Sequence, residues 1–430
     1  MSTKAAVAFL GAVVGAVACG EVSPTGVVPE EPVSVMIEIP WSEFGSNLAA
    51  FVAAGSPIEL GVGILAHQVG DSLEARTLAT MNEIPTSATV VDTAGTERTD
   101  TLLQVLGGRI LAAIDTLSAL SGGPVTLEAA LMEETWDPTT ATWSMAVDSL
   151  SGSRTEWGRA GGGSASHPVT AVWFPGEDTV VFELDSAGVA ALSDTASTRG
   201  LRISSLTAGS RLEVTGLSVQ VDVRPSLNPD TTVVVTASRN SLTFVYTPEP
   251  SPPQGSVRVG GTPSYRTTMS IEVPRVLDGP AELCAVRACP IELTANSLNY
   301  AAIVLSSQAV EVAFQPSDSV NLDVRPVADP SALPKSPLGG SLLSTSIGKR
   351  VAASLFGADE GTEVEVPITS LVRALLEPDS TARFPTPRTI ALVSAYEPLS
   401  FSYASFFGPE SASPPLLRLI VTIAGTAELP

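Results

Sequence analysis

The chain has 430 residues, 44% hydrophobic, 5% aromatic and only 16% charged, with 35 Gly, 34 Pro and a mean hydropathy of +0.28. So much apolar material excludes a disordered acidic chain, and the length suits one large domain or two ordinary ones. Lys and Arg total 23 against 45 Asp and Glu, a net charge of −22 that repels phosphate backbones and argues against nucleic acid as a partner.

Met1 to Lys4 carries one positive charge, and Ala5 to Ala18 (AAVAFLGAVVGAVA) is an unbroken apolar run. A bilayer-spanning helix needs about 20 apolar residues, so residues 1–18 read as a cleaved export signal. The run ends at AVACG, and small residues before Cys19 resemble the lipobox of bacterial lipoproteins, in which the cysteine is lipidated and becomes the new N-terminus. Ala16 stands where Leu is more usual, and an ordinary signal peptide is the plainer alternative. Two acyl chains, at about 0.8 kcal/mol per buried methylene, would hold the protein stably on a membrane. The expected address is therefore exported and membrane-anchored, at the outer membrane or cell surface. Loss of Lys4 leaves 22 basic against 45 acidic residues, a charge of −23, so the body stands off an anionic bilayer. Residues 19–32, with three prolines, read as an extended stalk.

After Cys19 only Cys284 and Cys289 remain, in CAVRAC. An even pair in an oxidising compartment can close a small disulfide loop; free buried thiols are the alternative. A metal site lacks further ligands, because the only histidines, His67 and His167, sit in no ligand-type spacing. No cofactor motif is present.

Period-two alternation then dominates: Val33 to Ile39, Thr179 to Leu184, Leu212 to Val223, Thr267 to Val273, Ala309 to Phe314, Ser319 to Val324 and Leu416 to Ile423. Such segments are half-buried antiparallel strands. The clearest helical signals are Ser42 to Ala54 and Thr369 to Leu376. The order of elements also recurs. RTLATMNEIP from Arg76 returns as RTTMSIEVP from Arg266, RILAAID from Arg109 as YAAIVLS from Tyr300, and VTLEAA from Val125 as VNLDVR from Val320. FELDSAGVAAL from Phe182 returns as VEVPITSLVRAL from Val364, and an alternating strand closes each half. Matches in the same order point to duplication. TPEPSPPQG, with four prolines, cannot enter a sheet interior. The expected fold is all-β: two tandem antiparallel jelly-roll β-sandwiches, 33–247 and 256–430, joined by a Pro-rich linker at 248–255.

In the first half, ETWDPTTATW (Glu134 to Trp143) follows a strand and precedes TEWGRAGGG; in the second, FFGPESASPPLLRLIVTI spans Phe406 to Ile423. Together these segments resemble the exported domain family called DNRLRE. The resemblance covers Leu78 to Pro225 and Ser256 to Ala424, and it implies a jelly-roll related to carbohydrate-binding modules. The second copy has VRPVADPSAL where ETWDP would stand, and the first lacks the Glu-Ser signature. Any ligand role of the family's indoles therefore transfers only to Trp136 and Trp143.

Trp136, Trp143, Trp157 and Trp173 are four of the five tryptophans, and exposed flat aromatics can stack on the apolar faces of sugar rings. The opposing reading makes them core, since few other large side chains are available to fill the layers. Glu133, Glu134 and Asp137 could accept hydrogen bonds from sugar hydroxyls, but they also suit solvated turns. GDSL at Gly70 to Leu73 mimics a lipase nucleophile block, yet no histidine follows His167 to serve as the late base of that family. Paired acids such as Glu133-Glu134 and Asp359-Glu360 could in principle hydrolyse glycosides, though nothing marks them from surface charge. Gly161 to Gly163 and Gly339-Gly340 lack a phosphate-loop Lys and read as turns. The expected function is surface adhesion or polysaccharide binding by a non-catalytic, lipid-anchored protein; the alternative is a structural spacer or assembly subunit binding protein partners, with a hydrolase as a remote third.

Overall fold

The computed structural model describes residues 32–52, 61–70, 72–149, 152–249, 255–261, 265–284, 289–334, 336–343, 348–377, 386–395, 397 and 400–423. The chain opens with β1 (Val33–Pro40), the short turn α1 (Trp41–Phe44) and β2 (Gly45–Val52). A first unit follows: β3 (Gly63–Val69), β4 (Leu73–Met81), the hairpin β5 (Ala88–Val91) and β6 (Glu97–Asp100), β7 (Leu103–Leu120) and β8 (Val125–Met132). It continues through the small hairpin β9 (Met145–Asp148) and β10 (Arg154–Glu156), then β11 (Ala165–Trp173), β12 (Thr179–Asp185), α2 (Ser186–Ser193), β13 (Gly200–Ser205), β14 (Ser210–Pro225) and β15 (Val233–Thr247).

The second unit runs β16 (Ser256–Gly260), β17 (Tyr265–Ile271), β18 (Val276–Leu277), α3 (Ala281–Cys284), β19 (Ile291–Glu292), β20 (Leu298–Gln308) and β21 (Ser319–Pro326). It closes with β22 (Lys349–Ala352), β23 (Glu363–Pro367), α4 (Thr369–Leu376), β24 (Thr389–Ser394), β25 (Tyr403–Phe407) and β26 (Leu416–Ile423).

These antiparallel strands build two sandwiches with one plan. In the first, β11-β8-β13-β4-β15 forms one layer and β12-β7-β14 continues into β15 as the other; β3 bridges β14 and β4. In the second, β22-β21-β24-β17 and β23-β20-β26 repeat that order, with β16 linking β25 and β17. The helical turn after β12 recurs after β23 as α4, whose span is the one read from sequence. The recurrence of elements in the sequence is therefore a recurrence of pairing.

The completing strand departs from expectation. β15 bends between layers: Val233 to Ser238 pair with β14, and after a bulge between Arg239 and Ser241 the rest pairs with β4. In the second unit that role falls to β1 and β2. β1 runs along β26, from Val33 opposite Ile423 to Pro40 opposite Leu416, and β2 runs along β17, from Gly45 opposite Ile271 to Val52 opposite Tyr265. Residues 33–52, expected in the first sandwich, thus complete the second. The alternation of Val33 to Ile39 announces one buried face, but it does not say which sheet will cover it. Burial of Ile37, Ile39 and Phe44, at roughly 1.5–3 kcal/mol each, rewards this distant pairing.

Two local expectations are corrected as well. Helical periodicity at Ser42 to Ala54, of which 53 and 54 lie outside the described residues, yields over 42–52 only the turn α1 before the ladder of β2 begins, because pairing with β17 satisfies the backbone and overrides weak propensity. Alternation at Ala309 to Phe314 ends in a 3-10 turn, Val312–Phe314.

Each sandwich buries the inward rows of its strands. One core holds Leu127, Trp173, Phe182, Leu201 and Val219 of the first unit. The other, centred in the second, extends across the junction to Ile64, Leu73, Phe244 and Tyr246 of the first. There Phe401 lies 6.1 Å from Phe244, 5.9 Å from Tyr246 and 5.7 Å from Phe314, ring centre to ring centre.

Candidate functional site

After β8 the chain leaves the sheet and returns only as β11. That excursion is pinned by Glu134, whose carboxylate accepts from Gly158 N at 2.8 Å and Ser164 N at 2.7 Å. The Gly158 bond leads in holding this carboxyl below its ordinary pKa. Trp136, Ala146 and Trp157 of the excursion pack onto Leu78, Met132 and Val245 of the sheet. Leu78 and Val245 alternate with Ala79 and Phe244 of the sandwich cores, so this small cluster covers the outer face of the sheet.

The four indoles do not form an open platform. Trp136, Trp157 and Trp173 are only 8%, 6% and 1% exposed. Their Nε1 atoms donate to the carbonyls of Arg199, Thr142 and Glu177 at 3.1, 2.9 and 2.7 Å. Trp143 is half-buried, and the Arg76 guanidinium covers its ring at 4.9 Å. The expectation that these residues stack on a sugar is corrected for the three buried ones: with so few large side chains available, their rings fill space that nothing else can fill.

Gly161, Gly162 and Gly163 all have left-handed φ, +82°, +100° and +71°. This backbone aims the Gly161 carbonyl at Arg76 Nη1, 2.8 Å, and the Gly163 carbonyl at Arg202 Nη1, 2.9 Å. Burial lowers the pKa of both arginines, and for Arg76 the neighbouring Arg202 lowers it further. A side chain at Gly163 would bring its Cβ to 2.7 Å from Glu134 Oε1. The glycine run is thus a structural turn, as the sequence suggests.

The remaining candidates fall apart from one another. Cys284 and Cys289 are joined in a disulfide. Cys19 and Asp71 lie outside the described residues. Ser72 is exposed, and His67 Nδ1 meets Glu74 Oε2 at 2.9 Å. Asp137 accepts from the amide and hydroxyl of Thr139, and Glu133 is exposed. Glu360 accepts from Ala309 N at 3.1 Å. Among the described residues no group of three His, Cys, Asp or Glu could hold a metal ion.

A cleft that the sequence did not announce opens where β11 and β12 form the free edges of the first sandwich. About 330 Å³ in volume, it has a floor including Ile110, Leu131 and Leu184, with His167, Glu183 and Asp185 at its sides. His167 has a φ of +50°, in the register break between Ser166 and Val169. A non-glycine residue in that region costs of order 1–3 kcal/mol, and such positions cluster at binding sites. The legible signal was the His-Pro pair interrupting the alternation of β11.

The equivalent edge of the second unit, between β22 and β23, holds a cleft of about 390 Å³ with a different, charged lining. Arg418 there pairs with Glu38 at 2.6 Å, Glu363 at 2.9 Å and Glu365. These bonds, led by Glu365, push its pKa above the ordinary value.

No family model and no curated protein matches the chain. Among solved structures, "BspA_C_WT" is 10% identical, covering 80% of this chain and 90% of its own, with a TM-score of 0.11. The C-terminal domain of the Streptococcus pyogenes antigen I/II-family protein AspA is 12% identical, covering 80% and 92%, with a TM-score of 0.10. Likeness at these scores carries no argument about this chain.

Proposed function

We propose that this protein is an exported, lipid-anchored, non-catalytic surface module whose two sandwiches project as one stiff body, acting as a spacer or assembly subunit. The observation that carries this reading is the seam between the units, where Phe244 and Tyr246 share one buried core with Phe314 and Phe401. A polar, loosely packed contact would let two domains swing; a large apolar one holds them in a single orientation. The Cys284–Cys289 disulfide supports export, because such bonds persist in oxidising compartments. In this reading acyl chains on Cys19 tether the stalk, and β1, beginning at Val33, passes the tether to the second sandwich. Cys19→Ala should move the protein from the membrane fraction to the soluble one; continued retention would defeat the anchor.

Polysaccharide binding is the second reading, favoured by the strained His167 beside Glu183 and an apolar floor, and it accords with the DNRLRE resemblance. A glycan array separates the two. Saturable binding lost in Glu183→Gln favours the sugar, whereas silence across broad glycans favours the spacer.

A further inference from the structure

The far end of the first sandwich holds a larger cleft, about 660 Å³, within the roughly 300–1,000 Å³ typical of ligand pockets. Its lining is mixed: apolar Met81, Ile84, Leu103 and Val105 stand with uncharged polar residues such as Asn82 and Thr101. The charged residues around it, Glu83 and Arg199, are exposed at the rim. Arg199 is also turned onto its own chain, donating to the carbonyls of Thr195 at 2.8 Å and Ala196 at 3.0 Å. No charged side chain therefore waits inside for an ionic ligand.

The second unit shows what occupies the matching corner. In the first unit, Asn82 N donates to the carbonyl of Ser238 at 3.0 Å, just before the bend of β15. In the second, Glu272 N donates to the carbonyl of Phe44 at 2.8 Å, between β1 and β2. At this shared position Ser238 is exposed, whereas Phe44 is 1% exposed and sits edge to face with Trp41, centroids 5.3 Å apart. The turn α1 packs against β1, β2 and β26. β26 is the counterpart of β14, whose Val219, Val221 and Val223 floor the cleft. One sandwich thus carries an aromatic plug at its end, and the other passes the bend with a bulge and leaves the space open.

We infer that the cleft of the first sandwich binds an uncharged aromatic small molecule, seated where the second sandwich seats Phe44 and Trp41. A lining whose charged members, Glu83 and Arg199, stand exposed at the rim favours an uncharged guest, since an ion would lose its hydration without a partner inside. The paired rings of the second unit show that this corner of the fold accepts flat aromatic groups. The inference is independent of the spacer reading, which stands or falls on the seam and the anchor.

The test uses the full chain and the uncharged dye N-phenyl-1-naphthylamine, whose fluorescence rises in apolar sites. One dye should bind per chain, saturably, and naphthalene should displace it. Val105→Trp, which fills the cleft from an already exposed position, should weaken binding at least tenfold without changing the melting temperature. If that variant fails to fold, Val235→Phe serves in its place. No saturable binding, binding unchanged in a folded cleft-filled variant, or displacement by decanol but not by naphthalene would each overturn the inference.

Discussion

Phe244 and Phe401 meet edge to face across the junction of the sandwiches, with planes at 77°. Phe401 is 2% exposed and also receives the Arg211 guanidinium over its ring at 5.8 Å. Phe401→Ala should remove about 3–5 kcal/mol, as large-to-small changes in aromatic cores do, and the loss should fall on the contact between units. Calorimetry should then show two unfolding transitions in place of one. Persistence of one transition, shifted or not, would mean that the units are coupled elsewhere. Tyr246 supplies a contrast, because its hydroxyl is buried without a hydrogen-bond partner among the described residues. Tyr246→Phe should leave stability unchanged or raise it by about 1 kcal/mol.

Ser34 and Thr422 are 388 positions apart in sequence, yet they face each other in the ladder of β1 and β26 with hydroxyls 2.8 Å apart. The double variant Ser34→Cys, Thr422→Cys should oxidise to a bond within one chain, visible as a mobility change on a non-reducing gel. Failure to cross-link, or cross-linking only between chains, would contradict the placement of β1 in the second sandwich.

Glu134 gives the excursion between β8 and β11 a pH dependence of known sign. Its folded pKa is depressed, so its contribution is fully present above the unfolded carboxylate value of about 4.3. The contribution is lost as pH falls through the lower folded value. Acid titration followed by tryptophan fluorescence should report this loss, since Trp157 is in the loop itself, next to Gly158, whose amide donates to Glu134. Glu134→Gln should weaken the loop at neutral pH and remove that step, and an unchanged acid transition would show that other groups govern it.

The alternation of Leu212 to Val223, the helix at Thr369 to Leu376, the cysteine pair and the recurring element order were all legible along the chain. Each depends on side chains a few residues apart or on one segment compared with another. The indoles were legible only as two competing outcomes, and the choice came with the fold: the loop anchored by Glu134 turns its own Trp136 and Trp157 inward onto Leu78 and Val245 of the sheet. His167 and Glu183 lie on different strands, so their shared cleft follows from the sandwich edge.

What the sequence by itself determined is the class of structure: strands with one oily face, repeated in the same order, must close into layers to hide that face from water. What only the tertiary structure decided is which layer each strand completes. A period of two marks the face to be buried, but any sheet of matching register can cover it, and residues 33–52 found theirs at the far end of the chain because β26 and β17 offered the free edges beside an apolar core.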